Sequence, residues 1–171
     1  KVHEQEMDSN LFEDIENLKP VIQPGTSDSA ALDNVFELLN ISGQPAPLAK
    51  LMLVPDAWSK KSKVLSKDHQ QLFNFLNSTM EPWDGPAAIA GTDNEWVIAA
   101  NDRNGLRPLR YTITKDKFLF AGSETGMIKL NEKKILAKGR LGPGEIIGVR
   151  IEKGKLFTNE KIKNYLAKEY K

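Results

Sequence analysis

Pro86-Ala87-Ala88-Ile89-Ala90-Gly91-Thr92-Asp93-Asn94-Glu95-Trp96-Val97-Ile98-Ala99-Ala100 is the stretch on which the fold turns. Two short apolar runs, Pro86 to Ala90 and Trp96 to Ala100, flank the polar tetrapeptide Thr92-Asp93-Asn94-Glu95. Apolar runs of strand length around turn-forming residues predict a β-hairpin. The pattern recurs twice downstream. Tyr111 to Thr114 and Phe118 to Ala121 flank Lys115-Asp116-Lys117, and Glu145 to Ile151 and Lys155 to Phe157 flank Glu152-Lys153-Gly154. These runs are not split by polar alternation, so the strands are expected to be covered on both faces.

Upstream the period changes to that of helices. Leu11, Phe12, Ile15 and Leu18 fit one face of a short helix ended by Pro20. After the turn Pro24-Gly25-Thr26, a second helix opens near Ser27 to Ser29. Its apolar stripe is Leu32, Val35, Phe36 and Leu39, and Gly43 suits its end. Pro45 and Pro47 are expected to break the chain before a short apolar helix or turn, Leu48 to Val54. Ser66 is placed to cap a further helix carrying Leu72, Phe73 and Leu76. Lys60-Lys61-Ser62-Lys63 before it reads as a solvated loop. Ile162, Tyr165 and Leu166 make a last helix, capped by Thr158 or Asn159. Helices followed by hairpins define an α+β fold with a largely antiparallel sheet.

Composition narrows the chemistry. With 24 basic and 23 acidic side chains among 171 residues, the net charge of +1 gives no reason to expect nucleic acid or an anionic membrane as partner. No apolar run approaches the roughly 20 residues of a membrane span. The two Asn-x-Ser/Thr sequons, at Asn40 and Asn77, read as chance. There is no cysteine, which rules out a disulfide, a thiolate metal site or a cysteine nucleophile in these residues. His3 and His69 lie too far apart to form a metal pair, and His69 is expected on a polar helix face. No phosphate-cradling glycine motif occurs; Gly142-Pro143-Gly144 leads into a strand. The chain opens on Lys1 and reads as a fragment of a longer protein.

Four segments stand out in order: Ser27-Asp28-Ser29-Ala30-Ala31-Leu32-Asp33-Asn34; Met80-Glu81-Pro82-Trp83-Asp84-Gly85-Pro86-Ala87-Ala88-Ile89; Asp102-Arg103-Asn104-Gly105-Leu106-Arg107-Pro108; and Gly139-Arg140-Leu141-Gly142-Pro143-Gly144-Glu145. From its residues alone, Ser-Asp-Ser is a helix start that any of Ser27, Asp28 and Ser29 is placed to cap, with Ser27 and Ser29 read as capping and bracing it, and helix-terminal amides favour a fixed, ionised carboxylate at Asp28. The Asp102 segment looks catalytic in isolation; within it Gly105, and also Asn104, suit a positive φ. Ser123-Glu124 is read as structural. Trp83 is either core or interface.

In order and spacing these segments resemble the class II glutamine amidotransferase domain of the glutamate synthase large subunit, from about Leu11 to Phe157. The resemblance implies a partial αββα sandwich of the N-terminal nucleophile hydrolase type, with residues 1–171 a single, incomplete domain. The family's cysteine nucleophile, its Asn-Gly oxyanion hole and its carboxylate-binding arginine would lie upstream, so no catalytic residue is expected in this chain. Asp28 matches the aspartate that grips the α-ammonium of glutamine, with Ser27 a weaker substrate contact. FMN and a [3Fe–4S] cluster are implied for separate synthase domains, not for this chain. NADPH, NADH or ferredoxin is implied as electron donor. The implied partners are glutamine, the remaining domains and a small electron-transfer subunit, in a cytoplasmic enzyme. The alternatives are a stand-alone α+β binding module and another class II amidotransferase, such as the phosphoribosylamine-forming enzyme. The Met80–Ile89 segment argues against the latter.

Overall fold

The computed structural model describes residues 15–56 and 67–170. The expected contributions of Leu11 and Phe12, of the lysine-rich loop and of Ser66 therefore lie outside the described residues. Ile15–Leu18 forms one turn of 3-10 helix, and the turn at Pro24–Thr26 is made with Gly25 at φ 77.

Helix α1, Asp28–Ile41, starts where Ser27 Oγ accepts the Ala30 amide at 3.2 Å. It ends in a Schellman motif. The Gly43 amide donates to Asn40 O and the Gln44 amide to Leu39 O, with Gly43 at φ 84. Leu32, Val35 and Leu39 are buried, as the stripe requires, and Phe36 packs beside them.

Helix α2, Ala46–Leu53, starts earlier than the prolines suggest. Pro47 sits in the first turn, where an amide would have no intrahelical partner, so it starts the helix instead of breaking it. No side chain of its own caps α2. Asp93, from the turn of the first hairpin, accepts the Ala46 amide, and its other oxygen takes the amides of Glu95 and Trp96.

Helix α3, Lys67–Thr79, buries Leu72, Phe73 and Leu76. His69 corrects the sequence expectation: it is buried on the same face, three to seven positions before those residues, not on a polar one. Helix α4, Asn159–Glu169, has Thr158 at its N-cap without a side-chain bond, while Asn159 Oδ1 accepts the Ile146 amide at 3.2 Å.

The strands are β1 (Ala88–Thr92), β2 (Trp96–Asn101), β3 (Arg110–Thr114), β4 (Leu119–Gly122), β5 (Ile135–Arg140), β6 (Ile146–Arg150) and β7 (Lys155–Phe157). They form two antiparallel sheets, ordered β1-β2-β6-β7 and β4-β3-β5. All three expected hairpins are present. Strand β5 had no sequence signal. Its lysine and arginine interrupt the apolar run, and its partner β3 lies beyond β4 in the chain, so no tight turn announces the pairing.

The first sheet lies between two cores. Trp96, Ile98, Ala100 and Ile146 face the helices with Leu48, Leu51, Phe73, Leu76, Ile162 and Leu166. Trp96 meets Phe157 edge-on at 4.9 Å. Ala99 and Ile147, of opposite parity, meet Leu109, Leu141, Tyr111 and Leu119 of the second sheet and its approach. The order of layers is thus helices, four-stranded sheet, three-stranded sheet. This is an α+β sandwich. Coverage on both faces holds for β2 and β6 only. β1 alternates, exposing Ala88, Ala90 and Thr92, and β5 is mostly exposed. Among the described residues the outer edges of β1, β7, β4 and β5 are unpaired.

Candidate functional site

Asp28 is the first residue of α1 and is exposed. Ser27 performs the capping, and its hydroxyl also lies 3.1 Å from that of Ser29. Asp28 therefore is not the cap, and the described residues give its carboxylate no hydrogen bond. The amide clamp expected for Asp28 falls to Ser27 instead. What remains at the helix start is an exposed carboxylate, open to a cation from outside these residues. A crevice of about 30 Å³ has Leu32, Asp33, Phe36 and Lys50 in its lining. A larger cleft of about 590 Å³ lies on the second sheet and includes no residue of α1.

The Asp102 segment is a turn, built by its own carboxylate. Asp102 Oδ1 accepts the amides of Asn104 and Leu106, and Oδ2 those of Ala87, Leu106 and Arg107. Burial, the largest single influence, opposes ionisation of this side chain, but the backbone amides together outweigh it and hold the carboxyl below its ordinary value. Gly105 has φ 65, as expected; Asn104 does not take a positive φ, because Gly105 alone makes the reversal. Arg103 and Arg107 share no site with Asp28. Ser123 and Glu124 are exposed in the loop after β4. Trp83 is partly buried against the α1 core and donates its amide to Leu53 O at 2.6 Å.

The Asp102 turn is stacked on the Gly142–Gly144 turn. Asp102 O accepts the amides of both Gly105 and Gly144. Lys50, fully buried on α2, donates from Nζ to Gly144 O at 2.8 Å. Asp56, just beyond α2, is ion-paired with Lys163 of α4, and its buried Oδ1 has no partner among the described residues. Two turns and two helices are thus joined through one polar cluster. Sequence reading passed over Lys50, Asp56 and Lys163. The available signal was Lys50 itself, a lone cation in the apolar run Leu48 to Val54.

Lys50 has its pKa pushed down to about 8. Burial is the largest cause, Asp56 opposes it, Lys163 reinforces it and Asp102 opposes it. The folded chain therefore releases this proton near pH 8, the unfolded chain only near 10.5. Between those values the unfolded state binds more protons, so this lysine makes stability rise with pH, by up to on the order of 3 kcal/mol. Urea midpoints at pH 7.5 and pH 10 should show that contribution in the unsubstituted chain and lose it in Lys50→Met. Identical pH dependence in both would show that Lys50 stays charged when buried.

Helices backing one face of two stacked antiparallel sheets are consistent with the sandwich of N-terminal nucleophile amidotransferases. The chain belongs to the class II glutamine amidotransferases, whose family model matches residues 1–171. It is 50% identical over 168 residues to the glutamate synthase [NADPH] large chain of Azospirillum brasilense, covering 98% of this chain and 11% of that protein. It is 37% identical over 171 residues to the corresponding large chain of Bacillus subtilis, covering 99% and 11%. It is 41% identical over 160 residues to ferredoxin-dependent glutamate synthase 2 of Synechocystis, covering 92% and 10%. The chain thus spans about a tenth of the length of these relatives.

Proposed function

We propose that the chain is part of the glutaminase domain of a glutamate synthase, a single domain completed by residues outside it. There glutamine and water yield glutamate and ammonia, and the ammonia passes to 2-oxoglutarate. The observation that carries this reading is the 50% identity to a glutamate synthase large chain along 98% of the residues. In this reading Asp28 pairs with the α-ammonium of glutamine, and Ser27, already engaged as the cap, is the weaker contact. The open Asp28 carboxylate supports the assignment, since nothing described competes for it.

The nucleophile, the oxyanion donors and the arginine for the substrate carboxylate come from outside these residues. The chain holds no cysteine, so it does not fit the thiolate ligand set of a [3Fe–4S] cluster either. We assign that cluster and FMN to other domains, together with any contact to a small electron-transfer subunit. No helix among the described residues is long and apolar enough to cross a membrane, and a cytoplasmic location is part of the proposal.

Residues 1–171 alone should release no glutamate from glutamine, whereas the longer polypeptide should form glutamate from 2-oxoglutarate with glutamine as nitrogen source. Turnover by the isolated chain that survives repurification would overturn the assignment of the nucleophile. Failure of the longer polypeptide to use glutamine would overturn the function itself.

A further inference from the structure

Asn104 is followed by Gly105, the only Asn-Gly pair in the sequence, and the pair sits at the corner of the Asp102 turn. An asparagine before glycine can react with its own backbone. No Cβ shields the glycine nitrogen, and glycine reaches the backbone angles that a five-membered ring needs. The Gly105 nitrogen attacks Asn104 Cγ and gives up its proton to solvent. The Cγ–Nδ2 bond breaks and ammonia leaves. Water then opens the imide at either carbonyl, giving aspartate or isoaspartate. One water is consumed and one ammonia released, with no change of oxidation state.

The geometry both offers and withholds this reaction. Asn104 is exposed, and its carboxamide has no hydrogen bond among the described residues. The nucleophile is not free. The Gly105 amide donates to Asp102 O at 3.1 Å and so closes a turn whose third residue, Asn104, keeps a negative φ. Such a turn is of type I, with ψ of about 0° at that residue. Ring closure needs Cβ of Asn104 eclipsed with the Gly105 nitrogen, roughly a third of a full rotation of ψ away, and that rotation breaks the Gly105 bond. The Asp102 carboxylate resists it. Its oxygens hold the amides of Asn104 at 2.9 Å, Leu106 at 3.1 Å and Arg107 at 3.2 Å, and its residue is buried. Isoaspartate does not fit the closed turn either. It lengthens the main chain, while Gly105 already lies so close to the second turn that a Cβ on it would be 3.0 Å from Pro143 N.

We propose that Asn104 is a deamidation site held dormant by the Asp102 carboxylate, which reacts only from the opened turn. The inference is independent of the function proposed above.

The test follows Asn104 in the longer polypeptide by peptide mass spectrometry during incubation at mildly alkaline pH. The proteolytic peptide carrying Asn104-Gly105, incubated alike, gives the unprotected rate. Asn77-Ser78, exposed on α3, is the internal reference. Deamidation of Asn104 should be slower in the folded protein than in the peptide by the factor that protects the Gly105 amide from hydrogen exchange, since both reactions need the same opening. Equal rates in protein and peptide would overturn the proposal, as would a folded rate that departs from the exchange protection. Asp102→Asn should raise the rate at Asn104 by about tenfold or more, as expected for losing a hydrogen bond to a charged acceptor, and leave Asn77 unchanged. No rise at Asn104 would equally overturn it. A rise at both asparagines means that the variant has unfolded, and the exchange comparison in the unsubstituted protein then decides.

Discussion

Asp28→Asn should weaken glutamine use by the full-length enzyme at least tenfold while leaving ammonia-dependent glutamate synthesis nearly unchanged. The substitution keeps the shape of the side chain and removes its charge. It should cost the fold little, because Ser27, not Asp28, caps α1 by accepting the Ala30 amide. The carboxylate is exposed and has no partner among the described residues. Its proposed bond to the α-ammonium is therefore the main interaction at stake. A charged hydrogen bond contributes about 1.5–3 kcal/mol, and about 1.4 kcal/mol corresponds to a factor of ten. Steady-state kinetics with each nitrogen source decides the matter. Equal loss with both sources would make Asp28 a structural residue. Unchanged kinetics with glutamine would remove it from the substrate site.

Gly144→Ala should lower stability by about 2–6 kcal/mol, combining about 1–3 kcal/mol of left-handed backbone strain with overpacking of similar size. Gly144 has φ +68, and an added Cβ would lie 2.7 Å from Asp56 Oδ1 and 3.1 Å from Asp56 Cα. Neither neighbour is free to give way, because Asp56 is tied to Lys163 and the Gly144 carbonyl is held by Lys50. Gly25→Ala is the matched control. Its φ is +77 but nothing lies within 4 Å, so only the strain remains. Denaturant midpoints of the two variants isolate the steric part. A Gly144→Ala loss no larger than that of Gly25→Ala would mean that the polar cluster is loose enough to move aside.

Most of the secondary structure was written in local pattern. Helix α1 could be read from its stripe, its serine start and Gly43, because each acts within a few residues of its position. The three hairpins could be read because apolar runs and their turns are adjacent in the chain. The Ser27-Asp28-Ser29 motif was equally legible, but which residue caps and which stays open depends on a rotamer and a hydrogen bond.

Other features are joined over distances no local window spans. Strand β5 exists because β3 offers it a partner. Pro47 became a helix start because Asp93, 47 residues from Ala46, supplies the cap. His69 lies inside because tertiary packing outweighs the polarity of its neighbours. By itself the sequence determined the α+β class and the absence of a cysteine nucleophile from these residues, since composition and short-range periodicity carry that information, while the family resemblance rested on four segments matched in order. Only the tertiary structure decided that Lys50, Asp56, Lys163 and Gly144 form one cluster on which the Asp102 turn rests. Burial and pairing belong to residues brought together in space from positions far apart in the chain.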